Sequence, residues 1–397
     1  MKIFIFILFC IFSVTALAVE TELSGNIEAQ GRQSWNNPQA QEFPLMQTWD
    51  KEKFYLVYGN LNGKAEFDSS RLEANWFVRH SQSELYRNQY LATQIFNFPN
   101  KLVARDVFKL QHRKQEDNYQ TDSIINKLYY EWDSGENNFA VGRMYINYGQ
   151  GEIFNPINPF NQPTGLTSIS QVAQGNDGGM FKYFVDDQHS VEFYLLGDKA
   201  INNYDGDGSI SRTLWTHGEY QATENLQIDY VLGEDQKREK VGGQLSYRLE
   251  EAMIFAQTLY QSEYINDNSP SHNLLDAVMG YDEQLTSKWH LRLETGYQKK
   301  NLYSTLANFG ERFLPTEYFV AAANQFEVHP LIKINGTIIA DFKTGFAYAI
   351  VRSSFDLGHN MEADLFAFCP VAKGKDEESV AQKLVTTDVG FSLRAFF

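Results

Sequence analysis

A two-residue alternation of apolar and polar side chains restricts this chain more than any other feature. From 385 to 397, Val385, Thr387, Val389, Phe391, Leu393, Ala395 and Phe397 fall on one face, and Asp388, Gly390, Ser392 and Arg394 on the other. Successive side chains of an extended strand point to opposite faces, whereas a helix repeats every 3.6 residues. The pattern recurs upstream. In 288–299, Trp289, Leu291, Leu293, Thr295 and Tyr297 oppose Lys288, His290, Arg292, Glu294 and Gln298. In 332–343, Ile332, Ile334, Ile338, Ala340 and Phe342 oppose Lys333, Asn335, Asp341 and Lys343. In 55–67, Tyr55, Val57, Leu61, Ala65 and Phe67 oppose Asn60, Asn62, Lys64 and Glu66; in 71–79, Leu72, Ala74, Trp76 and Val78 oppose Arg71, Glu73, Asn75 and Arg79. Charges on the second face of strand after strand imply a wet interior, because an unpaired charge in a dry one is costly. The expected fold is all-β, a transmembrane antiparallel barrel with an apolar outside and a lumen lined by both signs.

No apolar run beyond the N-terminal segment reaches the length of a membrane-spanning helix, while a barrel strand needs only about 10 residues and buries every second one. The 22 Tyr and 30 Phe suit interfacial girdles. A formal net charge of −16 argues against nucleic acid as a partner. Lys2, the apolar run from Ile3 to Ile11 and the small residues Ala16 and Ala18 read as a secretory signal cut after Ala18. Residues 19–397 then form a single domain with Cys369 as its one cysteine, so an internal disulfide is excluded.

Turn signals at 186–188, 222–225, 249–252, 286–288, 329–330 and 357–360 alternate with longer polar connections near 200–211, 265–272, 300–315 and 371–383. Short periplasmic turns opposite longer external loops are the expected asymmetry. The count is about 18 strands, bracketed by 16 and 20, with 85–121 the stretch that is hardest to parse. The last strand, through Phe391 and Leu393 to Phe397, resembles the signal by which bacterial outer-membrane barrels are recognised for assembly.

One segment stands apart from the alternation. Residues 142–163 read GRMYINYGQGEIFNPINPFNQP, and 139–148 are expected to be a strand that places Arg143 on the face of Tyr145 and Asn147. A loop over 149–176 should follow, kept out of the sheet by Pro156, Pro159 and Pro163. Gly149 and Gly151 do not make a phosphate cradle, since proline-broken chain follows where a helix N-terminus is required. Together with INKLYYEW (125–132) and Gly175 to Asp177, the segment resembles a set of porin-like proteobacterial outer-membrane barrel proteins. Gly142, Arg143, Gly149, Gly151, Asn155, Pro156, Phe160, Asn161, Gly175 and Asp177 match their pattern. Asn126, Lys127, Met144, Tyr148, Asn158 and Gln162 depart from it. The resemblance covers about 55 residues and implies a long loop folded into the lumen, with Arg143 and Lys127 facing it. Arg143 could equally pair with a lumen carboxylate such as Glu131.

The expected function is a channel through which small hydrophilic solutes diffuse passively, with no cofactor. Its pore lining and constriction are assigned to Lys127, Glu131, Arg143, Asn155, Asn158, Asp177, Lys182, Arg292, Glu294 and Arg394, and its assembly signal to Phe391, Leu393 and Phe397. Expected partners are outer-membrane lipids, lipopolysaccharide, the barrel assembly machinery and the solutes themselves, and a homo-oligomer is compatible. The rival readings are an exporter of an envelope polysaccharide and a non-conducting structural or adhesion barrel. Asn203, Asp205 and Asp207 match the first half of a calcium loop, but Leu214 stands where its glutamate is required, so a solvated hairpin is the default. His80, His112, His189, His217, His272, His290, His329 and His359 lie singly, and without a G-x-S-x-G elbow the chain is not expected to be an enzyme.

Overall fold

The computed structural model describes residues 20–35, 51–83, 110–116, 118–158, 160, 175–199, 210–235, 238–263, 272–298, 317–372 and 387–397. The strands are β1 (Glu20–Trp35), β2 (Lys51–Phe67), β3 (Ser70–Ser83), β4 (Gln111–Glu116), β5 (Tyr119–Asp133), β6 (Asn137–Met144), β7 (Asn176–Phe184), β8 (His189–Lys199), β9 (Ile210–Gln221) and β10 (Leu226–Asp235). They continue as β11 (Arg238–Arg248), β12 (Ala252–Glu263), β13 (His272–Thr286), β14 (Trp289–Gln298), β15 (Tyr318–His329), β16 (Ile332–Asp341), β17 (Ala347–Gly358), β18 (Met361–Ala372) and β19 (Thr387–Phe396). Together they make one 19-stranded sheet.

The wall is a closed antiparallel barrel of 18 strands, as the alternation predicts. Closure falls between the ends of the chain, where β1 pairs with β2 on one side and with β19 on the other, from Asn26↔Phe396 to Trp35↔Thr387. No edge is left at the seam to recruit another strand. The extra strand is β4. Among the described residues it pairs with the N-terminal part of β5, from Gln111↔Ile124 to Glu116↔Tyr119, while β3 runs along the other side of β5. The stretch that resisted parsing thus holds β4 and the start of β5, with 84–109 outside the described residues.

Both faces follow the period-2 code. On β14, Trp289 and Leu293 are about two-fifths exposed, whereas the intervening Arg292 and Glu294 are 4% and 1% exposed and point into the barrel. On β19, Val389, Phe391 and Leu393 are exposed and Ser392 is buried. The outer face also carries the aromatic row Trp132, Phe139, Phe181 and Phe193 across β5 to β8, with ring centroids 5.7, 4.9 and 6.2 Å apart. The row lies near the short turns at 134–136 and 185–188, where an interfacial girdle belongs. The remaining connections on that rim are equally brief: 68–69, 222–225, 249–251, 287–288, 330–331 and 359–360. At the opposite rim the strand ends Lys199 and Ile210, Glu263 and His272, Gln298 and Tyr318, and Ala372 and Thr387 are separated by longer stretches of sequence, which lie largely outside the described residues.

Two expectations are corrected. The first concerns β6, which ends at Met144 rather than at 148, so Tyr145 and Asn147 are not strand residues sharing a face with Arg143. Two residues before that end Gly142 has φ +128°, and a Cβ there would sit 2.3 Å from the Leu128 carbonyl oxygen, so only glycine fits this irregular position, which still pairs with Tyr129 and Gly178. The second concerns the interior, which is not uniformly wet. Phe255, Val278, Phe319, Ala321, Ile339 and Tyr348 occupy inward positions, and with Phe346 of the 342–346 connection they form a dry cluster. A second dry cluster contains Tyr194, Leu196, Trp215, Val231 and Leu259. Residues 1–18, expected to be a secretory signal, and Pro159, Asn161, Gln162, Pro163, Asn203, Asp205 and Asp207 lie outside the described residues.

Candidate functional site

Between β6 and β7 the described residues 145–158 and 160 form a compact loop whose side chains replace the sheet partners its backbone has lost. Asn155 Nδ2 donates to the Tyr148 carbonyl at 2.8 Å, and Asn158 Nδ2 reaches the Ile146 carbonyl at 3.4 Å. Asn158 Oδ1 accepts from the Phe160 N–H at 3.2 Å, and the Asn158 N–H donates to the Asn155 carbonyl at 3.2 Å. Buried backbone groups need such partners wherever a ladder ends. The glycines let the two arms touch. Gly149 has φ +82° and faces Asn155 Oδ1 where a Cβ would lie 2.5 Å away, and a Cβ on Gly151 would meet the Phe154 carbonyl oxygen at 2.0 Å. Gly149, Gly151 and Asn155 therefore act together, one giving way to the other.

The loop is bonded to strands far from it in sequence. Glu294 of β14 accepts the N–H of Glu152 at 2.9 Å, of Ile153 at 3.2 Å to both oxygens, and of Phe154 at 3.1 Å. Three consecutive N–H groups converging on one carboxylate make an anion-binding concavity, and Glu294 fills it. Its neighbour Arg292 donates to the Gln150 carbonyl and stands 2.9 Å from Glu152 Oε1, 3.1 Å from Asp282 Oδ2 and 3.1 Å from Glu294 Oε1. Gln244 of β11 accepts from the Gln150 N–H at 2.9 Å and is itself contacted by Gln257 of β12 at 2.6 Å. Apolar contacts complete the docking. Ile153 and Phe154 enter the dry cluster around Phe255 and Ile339, Phe154 meeting Phe319 edge-on at 5.9 Å; Ile146, Ile157 and Phe160 enter the other cluster, Phe160 meeting Trp215 edge-on at 5.2 Å. Each such side chain contributes roughly 1.5–3 kcal/mol on burial.

At the root of the loop Arg143 grips Asp177, with Nε 2.6 Å from Oδ1 and Nη2 2.8 Å from Oδ2, and its Nη1 donates to the Ile125 carbonyl at 2.9 Å. Both side chains are buried, at the point where β5, β6 and β7 stop pairing. The alternative partner considered for Arg143 is taken elsewhere: Glu131 binds Arg71 at 2.5 Å and Asn138 at 2.6 Å. Lys127 pairs with Glu73 in that same neighbourhood and lies over the Tyr129 ring at 5.4 Å. Arg394 belongs to the seam, where it contacts Glu28 at 2.6 Å and Glu362 at 3.5 Å, and Tyr58 donates to Glu28 at 2.6 Å.

Lys182 leads into a network that single-residue inspection of the sequence passed over. Its Nζ is 2.8 Å from Glu192 Oε1, and Glu192 Oε2 accepts from Tyr194 at 2.6 Å. His217 lies between two carboxylates, Nδ1 3.2 Å from Glu192 Oε2 and Nε2 3.5 Å from Asp229 Oδ1. Asp229 accepts from Gln227 at 3.1 Å and from Gln244 at 2.7 Å. Over the imidazole lies Tyr148 of the loop, rings stacked at 4.3 Å and 7°. Ten assigned residues thus fall into separate groups. Arg143 joins Asp177; Arg292 and Glu294 meet the loop that carries Asn155 and Asn158; Lys182 connects to the loop through Glu192 and His217. Lys127, Glu131 and Arg394 stand in ion pairs of their own. Glu152, Glu192, His217, Asp229, Gln244 and Asp282 were missed, and for those on strands the available signal was inward parity beside a recognised charged position. At the chain's end, Phe391 and Phe397 are exposed on the outer face, and Phe397 exchanges backbone hydrogen bonds with Gly25 at 2.9 and 3.0 Å.

An antiparallel barrel of 18 strands with an apolar exterior and an ion-paired interior has the architecture of porin-type barrels. No family model and no curated protein matches the sequence. Solved structures do match over nearly the whole chain. A BenF-like porin from Pseudomonas fluorescens Pf-5 is similar with a TM-score of 0.58 and 9% identity, covering 96% of this chain and 99% of that one. OccK2 (OpdF) from Pseudomonas aeruginosa, solved in complex with glucuronate, gives 0.57 and 8% with the same coverage, 96% and 99%. OccAB1 from Acinetobacter baumannii gives 0.56 and 9%, covering 96% and 97%. At such identities the likeness establishes the fold.

Proposed function

We propose that the chain is a porin-like channel of the Gram-negative outer membrane, exported with residues 1–18 as a cleaved signal, through which small hydrophilic solutes diffuse passively. One observation carries this reading: inward positions of successive strands hold ion pairs while their neighbours in sequence expose leucine, valine and phenylalanine outward. A face of paired charges suits water and polar solutes, and an apolar belt suits lipid. A polyanion exporter calls for an excess of lumen cations, and here Arg71, Arg79, Lys127, Lys182, Arg352 and Arg394 each face a carboxylate. The diffusion channel therefore ranks first.

In this reading the described part of the 149–176 loop, 149–158 and 160, folds into the lumen and narrows it, while 161–174 lie outside the described residues. Asn155 and Asn158 shape the constriction, Arg292 and Glu294 hold it, and Arg143 with Asp177 braces its root. Lys127, Glu131, Lys182 and Arg394 line the remaining water path. Lipids and lipopolysaccharide cover the outer face, Phe391, Leu393 and Phe397 serve recognition by the barrel assembly machinery, and association with further copies is compatible. No cofactor and no catalytic role are assigned. Because one structural neighbour was solved with glucuronate, sugar acids are the first solutes to try. The test is conductance of the refolded protein in planar bilayers, together with a variant lacking 150–175. Channels in the full-length protein and a large conductance increase on deletion are expected. Silence in both proteins overturns the reading.

A further inference from the structure

We propose that His217 is the positioning residue that sets how tightly the constriction loop is held, and that it does so according to its own protonation. The idea rests on the channel reading for its consequence but on local geometry for its cause. Each ring nitrogen of His217 faces a carboxylate, Glu192 at 3.2 Å from β8 and Asp229 at 3.5 Å from β10. A neutral imidazole carries one proton and leaves the other nitrogen lone pair against an anion; only the imidazolium serves both sides. The charges around it agree. Lys182 from β7 sits on Glu192, Tyr194 donates to Glu192, and Asp229 otherwise meets the amides of Gln227 and Gln244. With His217 protonated, Lys182, Glu192, His217 and Asp229 sum to zero; without the proton, an unbalanced buried carboxylate remains.

The fifth neighbour is the loop. Tyr148 lies flat on the imidazole at 4.3 Å and 7°, a geometry in which a cationic ring attracts the aromatic face and a neutral one does so less. Tyr148 stands next to Gly149, its carbonyl is the acceptor for Asn155, and Gln244, which bonds Asp229, also takes the Gln150 N–H. The proton on His217 is therefore transmitted to the first turn of the loop by two routes, one stacked and one hydrogen-bonded. Elsewhere the loop is held by Glu294, Arg292 and apolar packing, so loss of the proton loosens this end without releasing the whole.

The test uses the full-length protein reconstituted in lipid. Hydrogen exchange in the peptides covering 145–158, corrected for the intrinsic effect of pH, should quicken by about tenfold from pH 5 to pH 9, the factor that a contact of about 1.4 kcal/mol supplies. His217→Gln, which retains hydrogen bonding to one carboxylate, should exchange fast at both pH values. Tyr148→Leu should do the same, while Tyr148→Phe keeps the wild-type profile. In planar bilayers, current fluctuations should follow the same pattern. An identical pH profile in wild type and His217→Gln overturns the proposal. Exchange is readable in a silent barrel, so absence of conductance counts against the channel and leaves the role of His217 to be decided separately.

Discussion

Two walls of the interior use the same strand code to opposite ends. The wall around the seam, from β17 and β18 across β19 and β1 to β3 and β5, carries, beside a small apolar cluster of Leu56, Tyr58, Phe77 and Ile124, ion pairs: Arg352 with Asp364 at 2.7 Å, Arg394 with Glu28 at 2.6 Å, and Arg79 with Asp122 at 2.5 Å. In each pair the carboxylate side chain is no more than 1% exposed, and the guanidinium, 15–29% exposed, caps it. The wall from β12 to β17 instead places Phe255, Val278, Phe319, Ala321, Ile339 and Tyr348 at inward positions, and Ile153 and Phe154 of the loop lie on them. Inward parity therefore specifies direction only. The chemistry at an inward position depends on what packs against it, and on the β12–β17 wall that is Ile153 and Phe154 of the loop.

Substitutions can sharpen this contrast. The largest effect is expected from Phe154→Ala, which should cost about 3–5 kcal/mol of loop docking by leaving a cavity in the dry cluster. Fast exchange across 146–158 in an otherwise intact barrel would show it, and unchanged exchange would mean that the dry wall does not hold the loop. Arg394→Ala comes close behind, because Glu28 would stay buried with Tyr58 as its remaining partner among the described residues. A loss of roughly 3 kcal/mol is expected in denaturant unfolding from micelles, at the lower end of the range for a broken buried pair. If the loss is under about 1 kcal/mol, the seam pairs behave as surface pairs and the contrast narrows.

Glu294→Gln tests the boundary between the walls. An amide keeps one acceptor oxygen and forfeits the charge that three loop N–H groups share, so roughly 2 kcal/mol of docking should go, read as raised conductance or accelerated exchange at 152–154. A variant indistinguishable from wild type would falsify the assignment of Glu294 as the principal anchor. The smallest effect belongs to Arg71→Gln, whose side chain is 41% exposed beside Glu131. About 0.5 kcal/mol or less is expected in the same unfolding measurement. A larger loss would show that the lower part of the wet wall is drier than its exposure indicates.

Most of the barrel was legible because its determinants are local. The alternation through 288–299 and 387–397 identified both faces of β14 and β19, and the turns near 186, 222, 250, 287, 330 and 358 fell where the strands reverse. Where a local rule was broken, the reading failed. β6 ends at Met144, four residues early, two residues after the positive-φ Gly142, a lone glycine inside the strand pattern. The site was less legible than the fold. Arg143, Asp177, Arg292 and Glu294 could be singled out as charges at inward or loop positions, but Arg143 meets Asp177 and not Glu131 because the β6–β7 register sets it directly opposite Asp177, while Glu131 lies opposite Ala140. Ile339 and Phe319 gave no sign of their role, since an apolar residue at an inward position reads locally as noise in the alternation.

The sequence by itself determined the class of architecture, the direction in which each legible strand faces and the fact that a segment leaves the sheet after β6, but not the residue at which it leaves. Period, turn chemistry and proline act over a few residues and need no partner to express themselves. Tertiary structure alone decided which carboxylate receives the loop, which inward positions are dry, and that His217 lies beneath Tyr148. Glu294 and the N–H of Glu152 are 142 residues apart in the chain. Nothing local couples them; closure of β1 on β19 curves the sheet so that β14 faces the loop, and the match between three donors and one buried carboxylate exists only once that curvature is complete.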